Sequence, residues 1–128
     1  MARVLVVDDD PGVRQTLALA LRDGNVEVEA VRNGREALVA LSKATAQGKM
    51  YDAMVLDILM PGIDGWQVLE AVKSNPLWHG LPVIVLSGVA NSAADLVRMS
   101  DYDSVFVAKD GNFLSAVRTV LIRLLDAA

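Results

Sequence analysis

The stretch Val4-Leu5-Val6-Val7-Asp8-Asp9-Asp10 decides the fold, because four successive apolar residues run directly into three aspartates. The apolar run is too short for a helix, and successive side chains of a strand point to opposite faces, so both faces would be buried. Three further runs have the same character: residues 53–56, residues 83–86 and Val105–Ala108. Short strands buried on both faces are typical of a parallel sheet that is covered by helices.

Residues 26–30 alternate apolar and acidic side chains instead, which predicts a strand with one wet face at a sheet edge. Segments of helical period lie between the strands, and Pro11 and the pair Asn33 and Glu36 are favourable helix starts. The apolar positions that define five helices are Val13, Leu17, Ala20 and Leu21; Ala37, Leu38 and Leu41; Val68, Leu69 and Val72; Ala93, Ala94, Leu96 and Val97; and Phe113, Leu114, Val117, Leu121, Leu124 and Leu125. This alternation predicts a doubly wound (βα)5 sandwich of the α/β class with right-handed crossovers.

The composition narrows the possible functions. The chain has 128 residues, which predicts one domain over 1–128 with no second domain. Cysteine is absent, which excludes disulfides, thiolate metal sites and cysteine nucleophiles. The net charge is −4 and no cluster of Lys and Arg is present, which argues against direct nucleic-acid binding. No segment resembles a signal peptide or the ~20 apolar residues of a membrane span, so we predict a soluble, cytoplasmic protein without a membrane partner.

Polar residues end four of the five predicted strands. Asp8-Asp9-Asp10 follow the first, Asp57 the third, Ser87 the fourth and Lys109 the fifth. The carboxyl ends of parallel strands share one rim, where doubly wound sheets bind ligands. Carboxylates about 4 Å apart repel by about 4 kcal/mol at an effective dielectric near 20, so a cation must offset them. Oxygen ligands without His or Cys favour Mg²⁺.

The same rim suggests a phosphoryl-transfer site. Asp57 stands alone at the end of a central strand and is the predicted nucleophile, since aspartate forms acyl phosphates. Asp8 and Asp9 are the predicted metal pair, while Ser87 and Lys109 are placed to contact phosphoryl oxygens. Purely structural roles are the alternatives, because an acidic run is often a helix cap and Ser87 also suits a turn. The single histidine, His79, lies in a turn-rich connection and is predicted to be a surface residue.

In their order and spacing, these motifs resemble the receiver domains of two-component response regulators, the CheY-like superfamily. The resemblance is carried by Val6-Val7-Asp8-Asp9-Asp10-Pro11, Tyr51-Asp52-Ala53-Met54-Val55-Leu56-Asp57, Met60-Pro61-Gly62-Ile63-Asp64-Gly65, Val83-Ile84-Val85-Leu86-Ser87-Gly88 and Val107-Ala108-Lys109. It implies a flavodoxin-like strand order 2-1-3-4-5. It also implies that Asp57 is the phosphoacceptor and that Mg²⁺ is bound by Asp9, Asp57 and the backbone carbonyl of Leu59, with Asp8 acting through water. Ser87 and Lys109 would contact the phosphoryl group, and Phe106 falls at the family's aromatic switch position, although a core role is equally open to it.

The resemblance further implies a switch that takes its phosphoryl group from a sensor histidine kinase or a histidine phosphotransfer protein. Such a domain catalyses its own phosphorylation and slow dephosphorylation and is not a conventional enzyme. Without an output domain, it would dock to a downstream protein through the face made by the fourth predicted helix, the fifth strand and the fifth helix. The alternatives are that it passes the phosphoryl group onward or that it is a piece of a longer regulator or hybrid kinase. It would be a monomer or a phosphorylation-dependent dimer, in which Arg118 and Arg123 could pair with Asp101 and Asp103.

Two departures from the family pattern keep alternatives open. Asp110-Gly111 follows Lys109 where the family usually has proline, and Ser100-Asp101-Tyr102-Asp103 stands where many relatives place Ala-Gly-Ala. A pseudo-receiver that binds partners without phosphorylation is therefore the alternative. A flavodoxin-like ligand binder is disfavoured, because three aspartates after the first strand would repel a phosphate.

Overall fold

Short strands and amphipathic helices alternate along the chain as their sequence patterns require. A computed structural model describes residues 1–22, 25–58, 65–87 and 104–126. The strands are β1 (Ala2–Val7), β2 (Val26–Val31), β3 (Ala53–Asp57), β4 (Val83–Ser87) and β5 (Val105–Ala108). The helices among the described residues are α1 (Pro11–Leu21), α2 (Gly34–Ala46), α3 (Gly65–Ser74) and α4 (Phe113–Asp126). All strand pairs are parallel and their order is β2-β1-β3-β4-β5, which confirms the predicted fold class and strand order.

The two faces of the sheet carry two separate cores. Alternate residues of β1 point to opposite sides, so Leu5 and Val7 pack with α2 and α3 while Val4 and Val6 pack with α1 and α4. β3 and β4 are buried along their whole length. The central strands are therefore covered on both faces, as their unbroken apolar runs predicted.

Side chains cap the starts of α1 and α2, as predicted for Asn33. Asp10 precedes α1, and its carboxylate accepts hydrogen bonds from the N–H groups of Gly12 at 2.8 Å and Val13 at 3.3 Å. Asn33 caps α2 by accepting from the Glu36 N–H at 2.8 Å. These side chains satisfy backbone donors that have no partner within the first turn.

The prediction that both faces of β5 are buried was wrong. Val105 is 38% exposed and Ala108 is exposed, whereas Val107 is buried. The reason is the strand order: β5 is an edge strand, with a neighbour on one side only among the described strands. Its apolar run resembled those of the central strands, which is why the sequence alone did not separate them.

Some sequence predictions fall outside the described residues. They are the Leu59 backbone carbonyl, residues 60–64 of the motif that ends at Gly65, the helix around 93–97 and the segment Ser100-Asp101-Tyr102-Asp103. None of the helices in the described ranges is long and apolar enough to span a lipid bilayer.

Candidate functional site

Three carboxylates meet at the carboxyl-terminal rim of the sheet. β1 and β3 are neighbours in the register Val7 to Leu56, so Asp8 and Asp57 follow paired residues. One carboxylate oxygen each from Asp8, Asp9 and Asp57 lie within 4.8 Å of one another. Asp8 is fully buried and Asp57 is 3% exposed, while Asp9 is open to solvent. The structure therefore brings together the three acidic residues that the sequence analysis assigned to a metal site.

Lys109, the residue directly after β5, also contacts this cluster. Its Nζ lies 2.9 Å from Asp8 Oδ2 and 3.1 Å from Asp57 Oδ2. Burial acts to lower the pKa of Lys109, but the hydrogen bonds and charges of Asp8 and Asp57 outweigh it and raise that pKa above its ordinary value. Lys109 is thus an ammonium that neutralises one of the three carboxylates, and the cluster keeps a negative balance.

The two oxygens of Asp8 have different surroundings. Oδ1 accepts a hydrogen bond of 2.9 Å from the Asp10 N–H. Oδ2 is buried and, apart from the ion pair with Lys109, receives no hydrogen bond from the described residues. A buried carboxylate oxygen is normally satisfied by donors or a cation. An all-oxygen cluster with such an atom fits a hard divalent cation such as Mg²⁺.

The backbone after Asp57 is held by a glycine. Ile58 donates to the Leu86 carbonyl at 3.0 Å, and Gly65, the first residue of α3, donates to the Ile58 carbonyl at 3.1 Å. A Cβ on Gly65 would lie 2.4 Å from the carbonyl oxygen of Asp57 and from the Cα of Ile58. The sequence did not reveal why glycine is needed at position 65. The structure supplies the reason, because the start of α3 touches the backbone of the candidate phosphoacceptor.

Ser87 and Phe106 lie on the adjoining strands. Ser87 ends β4, is 4% exposed, and its carbonyl accepts a hydrogen bond of 2.8 Å from the Lys109 N–H. Phe106 of β5 is half-buried against the core on the α2 and α3 side of the sheet. The packing of Phe106 is consistent with a role in the core, and its partial exposure is consistent with the role of an aromatic switch, so both interpretations stay open.

Asp110 stabilises the turn that precedes α4. Its carboxylate accepts a hydrogen bond of 2.8 Å from the Asn112 N–H, and its carbonyl accepts from Phe113 at the start of α4. No cis peptide bond occurs in the described residues, so the Lys109–Asp110 bond is trans. The residue that replaces the family's proline thus closes the turn between Lys109 and α4.

Sequence reasoning missed Arg14. The Arg14 guanidinium Nη1 donates a hydrogen bond of 2.9 Å to the backbone carbonyl of Asp8. Its position four residues after Asp10, on the first turn of α1, was the available signal.

Two other predicted residues do not contribute to the described cluster. His79 is exposed, as expected, and the Leu59 carbonyl lies outside the described residues.

Comparison with known proteins assigns this arrangement to a family. Residues 4–114 match the response regulator receiver domain. The chain is 39% identical over 85 residues to the transcriptional regulatory protein TcrA of Mycobacterium tuberculosis, covering 66% of this chain and 31% of that protein. It is 32% identical over 126 residues to the transcriptional regulatory protein PcoR of Escherichia coli, covering 96% of this chain and 53% of that protein. The chain thus spans about half or less of these relatives.

Solved structures give the same result. The phosphorylated cyanobacterial phytochrome response regulator RcpA superposes with a TM-score of 0.87 at 27% identity, over 99% of this chain and 96% of that one. The receiver domain of a signal transduction histidine kinase from Syntrophus aciditrophicus superposes with a TM-score of 0.84 at 29% identity, over 100% of this chain and 92% of that one. With its strand order and its acidic rim, the chain belongs to the response regulator receiver domains of two-component signalling.

Proposed function

We propose that this domain is a signalling switch that accepts a phosphoryl group on Asp57 in a Mg²⁺-dependent reaction. The observation that carries the proposal is the position of Lys109, whose ammonium contacts Asp8 and Asp57 within a cluster of three carboxylates. A nucleophilic carboxylate, acidic metal ligands and a fixed cation are the parts that phosphoryl transfer needs, since it depends on positioning and charge neutralisation.

The metal ligands proposed are Asp9 and Asp57 directly, Asp8 through water, and the backbone carbonyl of Leu59. The buried Oδ2 of Asp8 supports this assignment, because it has room in its hydrogen bonding for a bound water. Bound Mg²⁺ would neutralise the carboxylates and hold phosphoryl oxygens in place.

The chain's own residues would carry the transfer as follows. A carboxylate oxygen of Asp57 forms the new O–P bond while the P–N bond of a phosphohistidine donor breaks, and the electron pair stays on the imidazole, which takes up a proton. Lys109, now paired with Asp57, would pair with one phosphoryl oxygen, and the Ser87 hydroxyl would donate to another. The site acts on its own carboxylate, so the domain is a self-modifying substrate and not a conventional enzyme.

The proposed donor is a sensor histidine kinase or a histidine phosphotransfer protein, as the family assignment suggests. We further propose that residues 1–128 act as one receiver domain in the cytoplasm and signal to a downstream protein through the face that contains β5 and α4. The domain would be a monomer, or a dimer formed on phosphorylation.

The test is incubation with Mg²⁺ and acetyl phosphate, followed by intact-mass spectrometry. We expect the mass of one phosphoryl group to be added, stable in acid and labile in base, and absent in Asp57→Asn or with a chelator. Asp52→Asn is the matched control, because Asp52 is an exposed aspartate just before the same strand, where it accepts from the Arg3 N–H at 2.8 Å. Labelling that survives in Asp57→Asn would refute the assignment of the phosphoacceptor.

A pseudo-receiver is the second candidate, and the carboxylate of Asp110 directly after Lys109 favours it. That carboxylate is exposed and adds negative charge next to the residue proposed to bind the phosphoryl group. The same experiment separates the candidates: Mg²⁺ binding without labelling by any donor would favour the pseudo-receiver.

A further inference from the structure

Arg14 contacts the acidic rim without belonging to it. It is half-buried on the first turn of α1, and its Nη1 donates to the Asp8 carbonyl at 2.9 Å. Its backbone N–H donates to the Asp10 carbonyl, also at 2.9 Å. Both ends of Arg14 therefore bind the three-residue acidic segment that follows β1.

The other polar groups of Asp8 also have partners among the described residues. Its N–H donates to the Val31 carbonyl at 3.2 Å, its Oδ1 accepts from the Asp10 N–H, and its Oδ2 pairs with Lys109. The carbonyl of Asp8 is the group that Arg14 binds. That carbonyl lies in the peptide plane shared with Asp9, so fixing its oxygen fixes the direction in which the chain enters Asp9.

Asp9 depends on this backbone restraint. It is exposed, and its carboxylate receives no hydrogen bond from the residues that the structure describes. Among the described residues, no side-chain contact of Asp9 sets the position of its ligand oxygen. A group that holds the preceding peptide therefore influences where the Asp9 carboxylate stands relative to Asp57.

We propose that Arg14 is a positioning residue that sets the Mg²⁺ affinity of the acidic rim by fixing the Asp8–Asp9 peptide. This inference rests on the proposed function, because it concerns the same metal. It makes a prediction opposite in sign to that of charge alone. Loss of a nearby positive charge, by itself, strengthens the binding of a cation. Loss of a group that orients a metal ligand weakens metal binding, typically by 10- to 100-fold.

The experiment is a Mg²⁺ titration of the full chain by isothermal calorimetry, with thermal unfolding in parallel. We expect Arg14→Met to raise the Mg²⁺ dissociation constant about tenfold, the lower end of the effect of such outer partners. Arg14→Lys keeps an N–H donor and is expected to recover part of the affinity. Arg22→Met is the matched control, since Arg22 follows the same helix, is exposed, and its side chain makes no hydrogen bond or ion pair with the described residues.

A second measurement separates positioning from a general loss of structure. At saturating Mg²⁺, labelling by acetyl phosphate should return to near the wild-type rate in Arg14→Met, because its chemical groups are intact. Unchanged or tighter Mg²⁺ binding in a folded Arg14→Met variant would overturn the inference and leave the proposed function standing. A wild-type chain that binds no Mg²⁺ would overturn the metal site itself, and the role of Arg14 with it.

Discussion

Asp9 is the exposed member of a cluster of three carboxylates, in which the ammonium of Lys109 contacts only Asp8 and Asp57 among the described residues. This imbalance of charge leads to a prediction for Asp9→Asn. In the metal-free protein the substitution removes two repulsions, toward Asp8 and Asp57, at distances up to 4.8 Å. At that distance each repulsion is about 1 kcal/mol in water and about 3 kcal/mol at an effective dielectric of 20. The exposure of Asp9 favours the lower figure, and the lost attraction to Lys109 offsets part of it. We therefore expect Asp9→Asn to stabilise the metal-free protein by about 1 kcal/mol.

The effect should reverse when Mg²⁺ is present. A ligand that binds only the folded state stabilises it by about 2.7 kcal/mol when the free ligand concentration is 100 times the dissociation constant. Asp9→Asn removes a proposed direct ligand and should lose most of this gain. In chelator the variant is thus expected to melt a few degrees above the wild type, since about 1 kcal/mol corresponds to roughly 4 °C for a domain of this size. In excess Mg²⁺ it should melt below the wild type.

Thermal unfolding by circular dichroism, with and without Mg²⁺, measures both effects. Glu70→Gln is the control, because Glu70 is an exposed acid on α3 that lies outside the cluster, and its removal should shift stability by less than about 0.5 kcal/mol in both conditions. Two results would refute the reasoning: a metal-free Asp9→Asn protein that melts below the wild type, or an equal Mg²⁺ stabilisation in both proteins.

Three shorter predictions follow from other contacts. Gly65→Ala places a Cβ 2.4 Å from the backbone of Asp57, so urea denaturation should show a loss of about 2 kcal/mol or more and the phosphorylation rate should fall; unchanged stability would contradict the close approach. Asn33→Ala removes the cap of α2 and should cost about 1 kcal/mol in the same assay, whereas Asn33→Asp keeps an acceptor and should be nearly neutral. Lys109→Met leaves two buried carboxylates without their cation and should cost about 3 kcal/mol near neutral pH without metal, less with Mg²⁺. Because the folded-state pKa of Lys109 is raised, its contribution is complete below its ordinary value of 10.5 and is lost as the pH rises above that, so the difference between Lys109→Met and the wild type should narrow only in that alkaline range.

The sequence predicted the sheet because its signals were local and repeated. Unbroken apolar runs identified β1, β3 and β4, alternation identified β2, and polar residues at the strand ends identified the rim. The rim is predictable without coordinates because parallel strands present all their carboxyl ends at one edge. Asp8, Asp57 and Lys109 therefore meet although 49 and 52 residues separate the consecutive members.

What the sequence did not predict depends on tertiary neighbours. The exposure of Val105 follows from the absence of a described strand beyond β5, which a local pattern does not encode. The need for glycine at position 65 arises from a contact with Asp57 and Ile58, which belong to another element. The Arg14 contact with the Asp8 carbonyl likewise depends on how α1 returns over the end of β1.

The position of Lys109 directly after the edge strand β5 bears on how a signal would leave the site. Its side chain binds Asp57 of β3, while its backbone N–H binds the Ser87 carbonyl of β4, so one residue connects three neighbouring strands. The central strands β3 and β4 are buried along their whole length, whereas β5 is partly exposed. If a phosphoryl group on Asp57 draws Lys109 and Ser87 toward it, the strand that yields most easily is β5, and Phe106 and α4 are attached to it. We therefore expect chemical-shift changes on phosphorylation to extend along β5 and α4. In β1, which ends just before Asp8, we expect them to be small. Changes confined to the three carboxylates would argue against β5 as the route.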